Sequence, residues 1–199
     1  MHWPVMNWRA IAPAASWRWN SPRRWPIGSA ARGWPLRTVW EMPAAADTMR
    51  LGAALGQTCP WDEQAPRLVF LSGELGAGKT TLAAAMLESL GATETVRSPS
   101  YALVETYALP EGLGVHVDCY RLSGAQEFEQ LGLRDYFAPR TLWLVEWPER
   151  AGAALPTPDL SVSLKAVGTG RSAGIEVMSA AGAAWLAVLE RRLRASELK

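Results

Sequence analysis

Nine consecutive residues, Gly73-Glu74-Leu75-Gly76-Ala77-Gly78-Lys79-Thr80-Thr81, constrain this chain more than any other stretch. They fit the Walker A pattern G-x-x-x-x-G-K-[ST] without a mismatch. Before them, Leu68-Val69-Phe70-Leu71 is a short apolar run of the kind that forms a fully buried strand. After them, Leu82 to Leu90 carries Ala, Met, Leu and Glu, which favour helix, and Gly91 supplies a C-cap. Strand, glycine-rich loop and helix therefore occur in the order that a polyphosphate cradle needs. Glycines let the main chain approach a phosphate and adopt positive φ, and the helix N-terminus behind them adds partial positive charge. In such a cradle Lys79 reaches the β- and γ-phosphates and the Thr80 hydroxyl binds Mg2+. A glycine-rich turn with a merely exposed lysine is the alternative, and it explains neither flank.

A cation beside such a loop calls for a carboxylate delivered by a buried strand. Thr141-Leu142-Trp143-Leu144-Val145-Glu146-Trp147-Pro148-Glu149 has that form: an apolar strand ends in Glu146, and Pro148 stops it. Val115-His116-Val117-Asp118-Cys119-Tyr120 alternates, which puts His116, Asp118 and Tyr120 on one face. Asp118 can orient water or a metal ion, or it can pair with an arginine such as Arg121. His116 reads as a structural histidine rather than a catalytic base. Val96-Arg97-Ser98-Pro99-Ser100 is turn chemistry, because proline holds its predecessor extended, and Tyr101 to Tyr107 reads as a strand after it. The Ser98 and Ser100 hydroxyls are candidates for a loop that senses a γ-phosphate, with an ordinary turn as the alternative.

The other elements are plainer. Asp47 caps a short helix, Thr48 to Leu55, that Gly56 ends. Gly124 to Phe137 reads as a helix broken near Gly132. Asp159 to Lys165 and Gly174 to Met178 form a hairpin around Gly168-Thr169-Gly170-Arg171. Arg171 could reach a phosphate or a partner there, although solvent is the usual fate of a turn arginine. Ala181 to Arg194 closes the chain as a helix with apolar Trp185, Leu186, Leu189 and Leu193.

A length of 199 residues suits one domain, or one domain with a tail. Apolar content of 49% and charged content of 20% are ordinary for a soluble globular protein, and no apolar stretch is long enough for a membrane span. Two cysteines, Cys59 and Cys119, make no disulfide framework and have no metal-ligand spacing, which suits a reduced cytosolic setting. The net charge of +1 hides an asymmetry, since residues 1 to 40 hold six arginines and no acid. They also hold seven of the 11 tryptophans, and no helical or strand period runs through them.

We therefore divide the chain into an irregular Trp/Arg-rich extension, 1–41, and a domain, 42–199. The extension could stack on and neutralise single-stranded nucleic acid, or act as a transit peptide. The favoured reading is an extension outside the core, present because translation is assigned to start upstream of Met42 or Met49.

Taken in order, GELGAGKTT, SPSYALVETY, HVDCYRL, GLRDYF and LWLVEWPER closely resemble the TsaE (YjeE) family, the small P-loop ATPases of bacterial tRNA threonylcarbamoyladenosine synthesis. The likeness runs over roughly residues 43 to 195 and leaves out the Trp/Arg-rich extension. It implies a P-loop NTPase-like α/β fold of three layers, with a mixed β-sheet flanked by helices. It implies that Glu74 to Thr80 hold ATP, that Thr80 and Glu146 coordinate Mg2+, and that Asp118 sits near the γ-phosphate and serves hydrolysis. Ser98-Pro99-Ser100 becomes a switch-like loop, Trp147 and Glu149 lie at the nucleotide's edge, and the helix from Thr48 to Gly52 lies near the adenine. The nucleotide-binding set is then Gly73, Glu74, Leu75, Gly76, Ala77, Gly78, Lys79, Thr80, Thr81, Ser100, Asp118, Trp147 and Glu149, with Lys79, Asp118 and Glu146 catalytic.

The resemblance further implies a cytoplasmic ATPase, slow alone and stimulated by the partner proteins TsaD and TsaB, which reaches tRNA at adenosine 37 only through them. Three positions depart from the family pattern. Ser100 stands where Thr is usual, Ala44 and Ala45 where an acid often precedes the first helix, and Cys119 where a large apolar residue is common. Two rivals use the same residues differently. A small-molecule or nucleoside kinase would need an arginine-rich lid, which does not occur between Arg97 and Arg150. A non-enzymatic nucleic-acid-binding protein would work through the extension.

Overall fold

A computed structural model describes residues 37–197, in which seven strands form one sheet in the order β1-β7-β6-β2-β5-β4-β3. Strand β1 (Arg37–Met42) leads into helix α1 (Ala45–Gln57), and β2 (Arg67–Ser72) feeds the glycine loop and α2 (Lys79–Ser89). Strands β3 (Val104–Leu109) and β4 (Gly112–Asp118) form a hairpin, followed by α3 (Ala125–Gln130) and a 3-10 turn over Leu133–Tyr136. Next come β5 (Thr141–Glu146), the single turn α4 (Pro148–Ala151), the hairpin of β6 (Leu160–Val167) and β7 (Gly170–Val177), and α5 (Ala180–Glu197). Strand β2 is parallel to β5 and β6, and β4 is parallel to β5, whereas the β1–β7, β6–β7 and β3–β4 pairs are antiparallel.

The central strands read as unbroken apolar runs because both faces of the sheet are covered. Val69 and Leu71 of β2, with Leu142 and Leu144 of β5, join the cluster that includes Leu55, Leu82, Met86 and Trp185 from α1, α2 and α5. Their neighbours Leu68, Trp143 and Val145 join a second cluster with Phe128, Leu133 and Ala151. The two clusters make this a three-layer P-loop NTPase-like α/β fold. The parallel strands bring Leu71 opposite Glu146 and Glu146 opposite Asp118, so the carboxyl ends of β2, β5 and β4 come together beside the glycine loop.

Several boundaries differ from the sequence reading. The division between 41 and 42 falls inside β1: Arg37 to Glu41 pair with β7 from Glu176 to Ser172, so the sheet begins within the stretch assigned to the extension. The readings of residues 1–36 lie outside the described residues. Helix α1 starts before Asp47, whose carboxylate reaches back to the Ala44 N–H, and it continues through Gly56. Gly56 does not stop the helix because it is the contact point with α2; a Cβ there would lie 2.5 Å from Met86 O. Strand β3 starts at Val104 rather than Tyr101, because a turn closed by the Leu103 N–H to Pro99 O bond comes first, with Leu103 at φ 66°.

Candidate active site

The glycine loop leaves β2 with Gly73 at φ 137°, Gly76 at 77° and Gly78 at 103°, conformations that glycine adopts without strain. At Gly73 glycine is also required by space, since a Cβ would lie 2.3 Å from Leu164 O of β6. Glu74, Leu75 and Gly76 are exposed at the crest, and Ala77 is buried against the core. The Lys79 side chain turns back under the loop, where its ammonium donates to Gly73 O (2.8 Å) and Glu74 O (2.9 Å) and lies 3.9 Å from the centre of the Trp147 ring. Burial draws this ammonium below the usual lysine range, and the carboxylates of Glu146, Asp118 and Glu149 pull it back up.

Thr80, in the first turn of α2, donates its hydroxyl to Glu146 Oε1 at 2.8 Å. The same oxygen lies 3.0 Å from His116 Nε2. Asp118, at the end of β4, accepts the Tyr120 N–H on Oδ1 (3.0 Å) and the Ser98 hydroxyl on Oδ2 (2.6 Å). Ser100 hydrogen-bonds the Ser98 hydroxyl at 3.2 Å, so the Ser-Pro-Ser turn is tied to Asp118 through its serines. Arg121 lies over the Tyr101 ring, 4.3 Å from its centre. Asp118 thus bonds Tyr120 and Ser98, whereas Arg121 stacks on Tyr101.

Trp147 has left-handed φ and ψ of 55° and 49°, a conformation that costs a bulky residue about 1–3 kcal/mol. Pro148 bars right-handed helix at its predecessor, and the Trp147 N–H is held by Leu71 O at 3.1 Å. The twist lays the indole on Lys79 and 5.1 Å from the Tyr120 ring. Glu149 is exposed in the turn that follows, and Thr81 is exposed on α2.

Three further residues belong to this neighbourhood. Arg171, on β7, donates Nε–H to Ala77 O at 3.0 Å and packs on Gly78, so it is half-buried on the loop instead of solvated. Its sequence signal was a turn arginine only; the pairing of β7 with β6 carries it to the loop. Thr48 of α1 also packs against Gly78, and its buried hydroxyl has no partner among the described residues. His116, fully buried, sits on Glu146. Its alternation on β4 put it on the right face, but no spacing rule points from it to a carboxylate 30 residues away.

Residues 73–81, Asp118, Glu146, Trp147 and Ser100 are thus drawn into one place. The donor set suits a hard cation: a hydroxyl and a carboxylate already in contact, both oxygen, on the rim of a loop of backbone N–H groups. Among the described residues no group of three or more His, Cys, Asp and Glu could hold a metal ion by itself. A cation here would take its remaining ligands from water and phosphate, as Mg2+ does.

A family model for the threonylcarbamoyl adenosine biosynthesis protein TsaE matches residues 42–173. The chain belongs to the TsaE family. The resemblance read from the motifs is therefore borne out. The tRNA threonylcarbamoyladenosine biosynthesis protein TsaE of Haemophilus influenzae is 43% identical to it over 97 residues, covering 49% of this chain and 61% of that protein. TsaE of Bacillus subtilis is 39% identical over 104 residues, covering 51% and 63%, and TsaE of Treponema pallidum 30% over 127 residues, covering 64% and 90%. The chain spans a little over six tenths of the length of the first two of these curated relatives. The crystal structure of YdiB from Bacillus subtilis shares the fold with a TM-score of 0.66 at 24% identity, over 79% of this chain and 96% of that one. This TsaE chain is thus of the P-loop nucleotide-binding type, and no helix among its described residues is long and apolar enough to cross a membrane.

Proposed function

We propose that this protein binds ATP with Mg2+ and hydrolyses it slowly in the cytoplasm, in support of threonylcarbamoyladenosine formation at adenosine 37 of tRNA, with TsaD and TsaB as partners. The observation that carries the reading is the contact of Thr80 Oγ1 with Glu146 Oε1 across the loop, with Asp118 next to Glu146 in register. Phosphoryl transfer asks little covalent chemistry of a protein; it asks for position and for charge neutralisation. Residues 73–81 cradle the phosphates by backbone N–H groups, and Lys79 exchanges its loop carbonyls for phosphate oxygens. Thr80 and Glu146 hold Mg2+, which neutralises charge on the β- and γ-phosphates when bound.

Asp118 positions the attacking water, and Ser98 controls when it can do so. Its hydroxyl occupies Oδ2, so movement of the Ser98–Ser100 turn frees that oxygen to accept a proton-bearing water. Trp147 and Glu149 border the bound nucleotide, and α1 from Thr48 to Gly52 faces its base. The part for tRNA and its partners rests on family membership and on the names of the relatives.

The test is ATP hydrolysis by the full chain, alone and with purified TsaD and TsaB, for the parent and for Lys79→Ala, Asp118→Ala and Glu146→Ala. We expect weak basal hydrolysis, a rise with the partners, and losses of about 100-fold or more in each variant. Removal of Mg2+ with EDTA abolishes turnover. Indifference to the partners removes the TsaD and TsaB assignment. Parent-like rates in Asp118→Ala and Glu146→Ala remove the site.

A further inference from the structure

The proposed reaction gives His116 no part, although it touches the candidate metal ligand Glu146. It is wholly buried on β4, and its single hydrogen bond among the described residues is the 3.0 Å contact from Nε2 to Glu146 Oε1. The Nδ1 atom is buried with no partner among the described residues. A histidine that served only packing would satisfy both ring nitrogens or give way to an apolar residue, because an unpaired buried polar atom destabilises the fold. Here the fold tolerates one orphan nitrogen, and the other nitrogen points at the candidate metal ligand.

The geometry is set by the sheet. Strands β4 and β5 pair in parallel from Leu113↔Thr141 to Asp118↔Glu146, which places His116 opposite Leu144 and diagonal to Glu146. A hydrogen on Nε2 lets the ring donate to the Glu146 carboxylate. Two donors thus converge on Oε1, the His116 imidazole and the Thr80 hydroxyl. Of the two, only the imidazole is free of other duties, since the Thr80 hydroxyl is needed by the cation.

We infer that His116 is a positioning residue that fixes the Glu146 carboxylate through Nε2–H, so that the metal-binding oxygens stay in place when Thr80 turns from Oε1 to Mg2+. The inference rests on the proposed Mg2+–ATP reading and deepens it. A partner behind a metal ligand fixes its orientation and its basicity, and its loss weakens metal binding by about 10–100-fold.

The experiment measures ATP binding by the full-length protein in EDTA and across a Mg2+ titration. It compares the parent, His116→Leu and His116→Gln, with both changes repeated in a Glu146→Gln background, and it follows folding by circular dichroism. His116→Leu should raise the Mg2+ concentration at half effect by about tenfold while leaving the affinity in EDTA unchanged. His116→Gln, which restores an N–H donor, should recover most of the loss. In the Glu146→Gln background His116→Leu should add nothing, as expected of a residue that acts through Glu146. An unchanged Mg2+ midpoint in His116→Leu, or the same shift persisting without the Glu146 carboxylate, overturns the assignment.

A second readout needs no variant at position 116. The chain has two histidines, and a long-range 1H–15N spectrum of the metal-free protein, with His2 identified through His2→Gln, reports the His116 tautomer. The Nε2–H form is expected, and an Nδ1–H form overturns the proposal even if His116→Leu fails to fold. A parent that binds ATP identically with and without Mg2+ removes the ATPase reading and this inference together. A Mg2+-dependent parent with unresponsive His116 variants removes the inference alone.

Discussion

Cys59 and Cys119 show how far a residue's chemistry depends on its surroundings. Burial pushes both thiols up to about 12 from an ordinary 9.0, and for Cys59 the nearby Arg67 opposes the rise. Between those values the unfolded chain gives up thiol protons that the folded chain keeps. The stability they contribute is complete below about pH 9 and declines as the pH climbs towards 12. We predict that a disulfide reagent at about pH 8 spares Cys119 in the native protein and labels it in denaturant. Prompt labelling of native Cys119 would contradict its burial. For Arg171, nothing in its turn context showed that it would lie on Ala77 and Gly78.

The pairing of α1 with α2 depends on what is missing from one helix face. A Cβ on Gly52 would lie 2.6 Å from Leu82 O and 2.8 Å from Ala85 Cβ, and one on Gly56 2.5 Å from Met86 O. The two glycines, one turn apart, let the backbones approach so that Leu51 and Leu55 join Leu82 and Met86 in one cluster. Alanine is the better helix former by about 1 kcal/mol, so propensity alone predicts that Gly52→Ala stabilises. We predict the reverse, a net loss of about 1–3 kcal/mol in urea unfolding, because the obstructing atoms are a backbone carbonyl and an alanine Cβ, neither of which can rotate away. A rise in stability would show that α1 can shift without loss. The sequence reading took Gly56 as a stop because a glycine at a helix end and a glycine at a helix crossing look the same in one dimension. Trp185 closes the same layer from α5, with its indole N–H on Leu55 O at 3.1 Å.

On the scale of the molecule, β1 decides where the domain starts. It covers the edge of β7 across six register pairs, buries Met42 to 2% and packs Trp40 against the core. A chain begun at Arg37 keeps this strand, and one begun at Pro43 loses it. The loss of Met42 and part of Trp40 from the core is worth about 2–5 kcal/mol, which lowers Tm by about 5–15 °C at this size. Thermal unfolding of the two chains side by side checks this, and equal midpoints would show that β1 is an ornament of the sheet. The boundary drawn from the sequence falls inside β1 because Arg37 and Trp40 continue the Trp/Arg-rich composition of the residues before them, and an edge strand of mixed polarity carries no strong alternation.

What the sequence determined by itself was local. The β2–loop–α2 unit, the buried strand ending in Glu146, the break at Gly132 and the β6–β7 hairpin all follow from rules that act over a few residues: apolar runs, glycine at positive φ, proline as a stop. The family resemblance extended this to the candidate roles of Lys79, Thr80, Asp118 and Glu146. Only the tertiary structure decided which of these groups touch. Thr80 and Glu146 are 66 residues apart, and Arg171 and Ala77 are 94 apart. Their contacts depend on strand order and register, which bring β4, β5 and β7 to the loop, and no short-range rule encodes that order. The same register put a histidine on the carboxylate and left its second nitrogen alone.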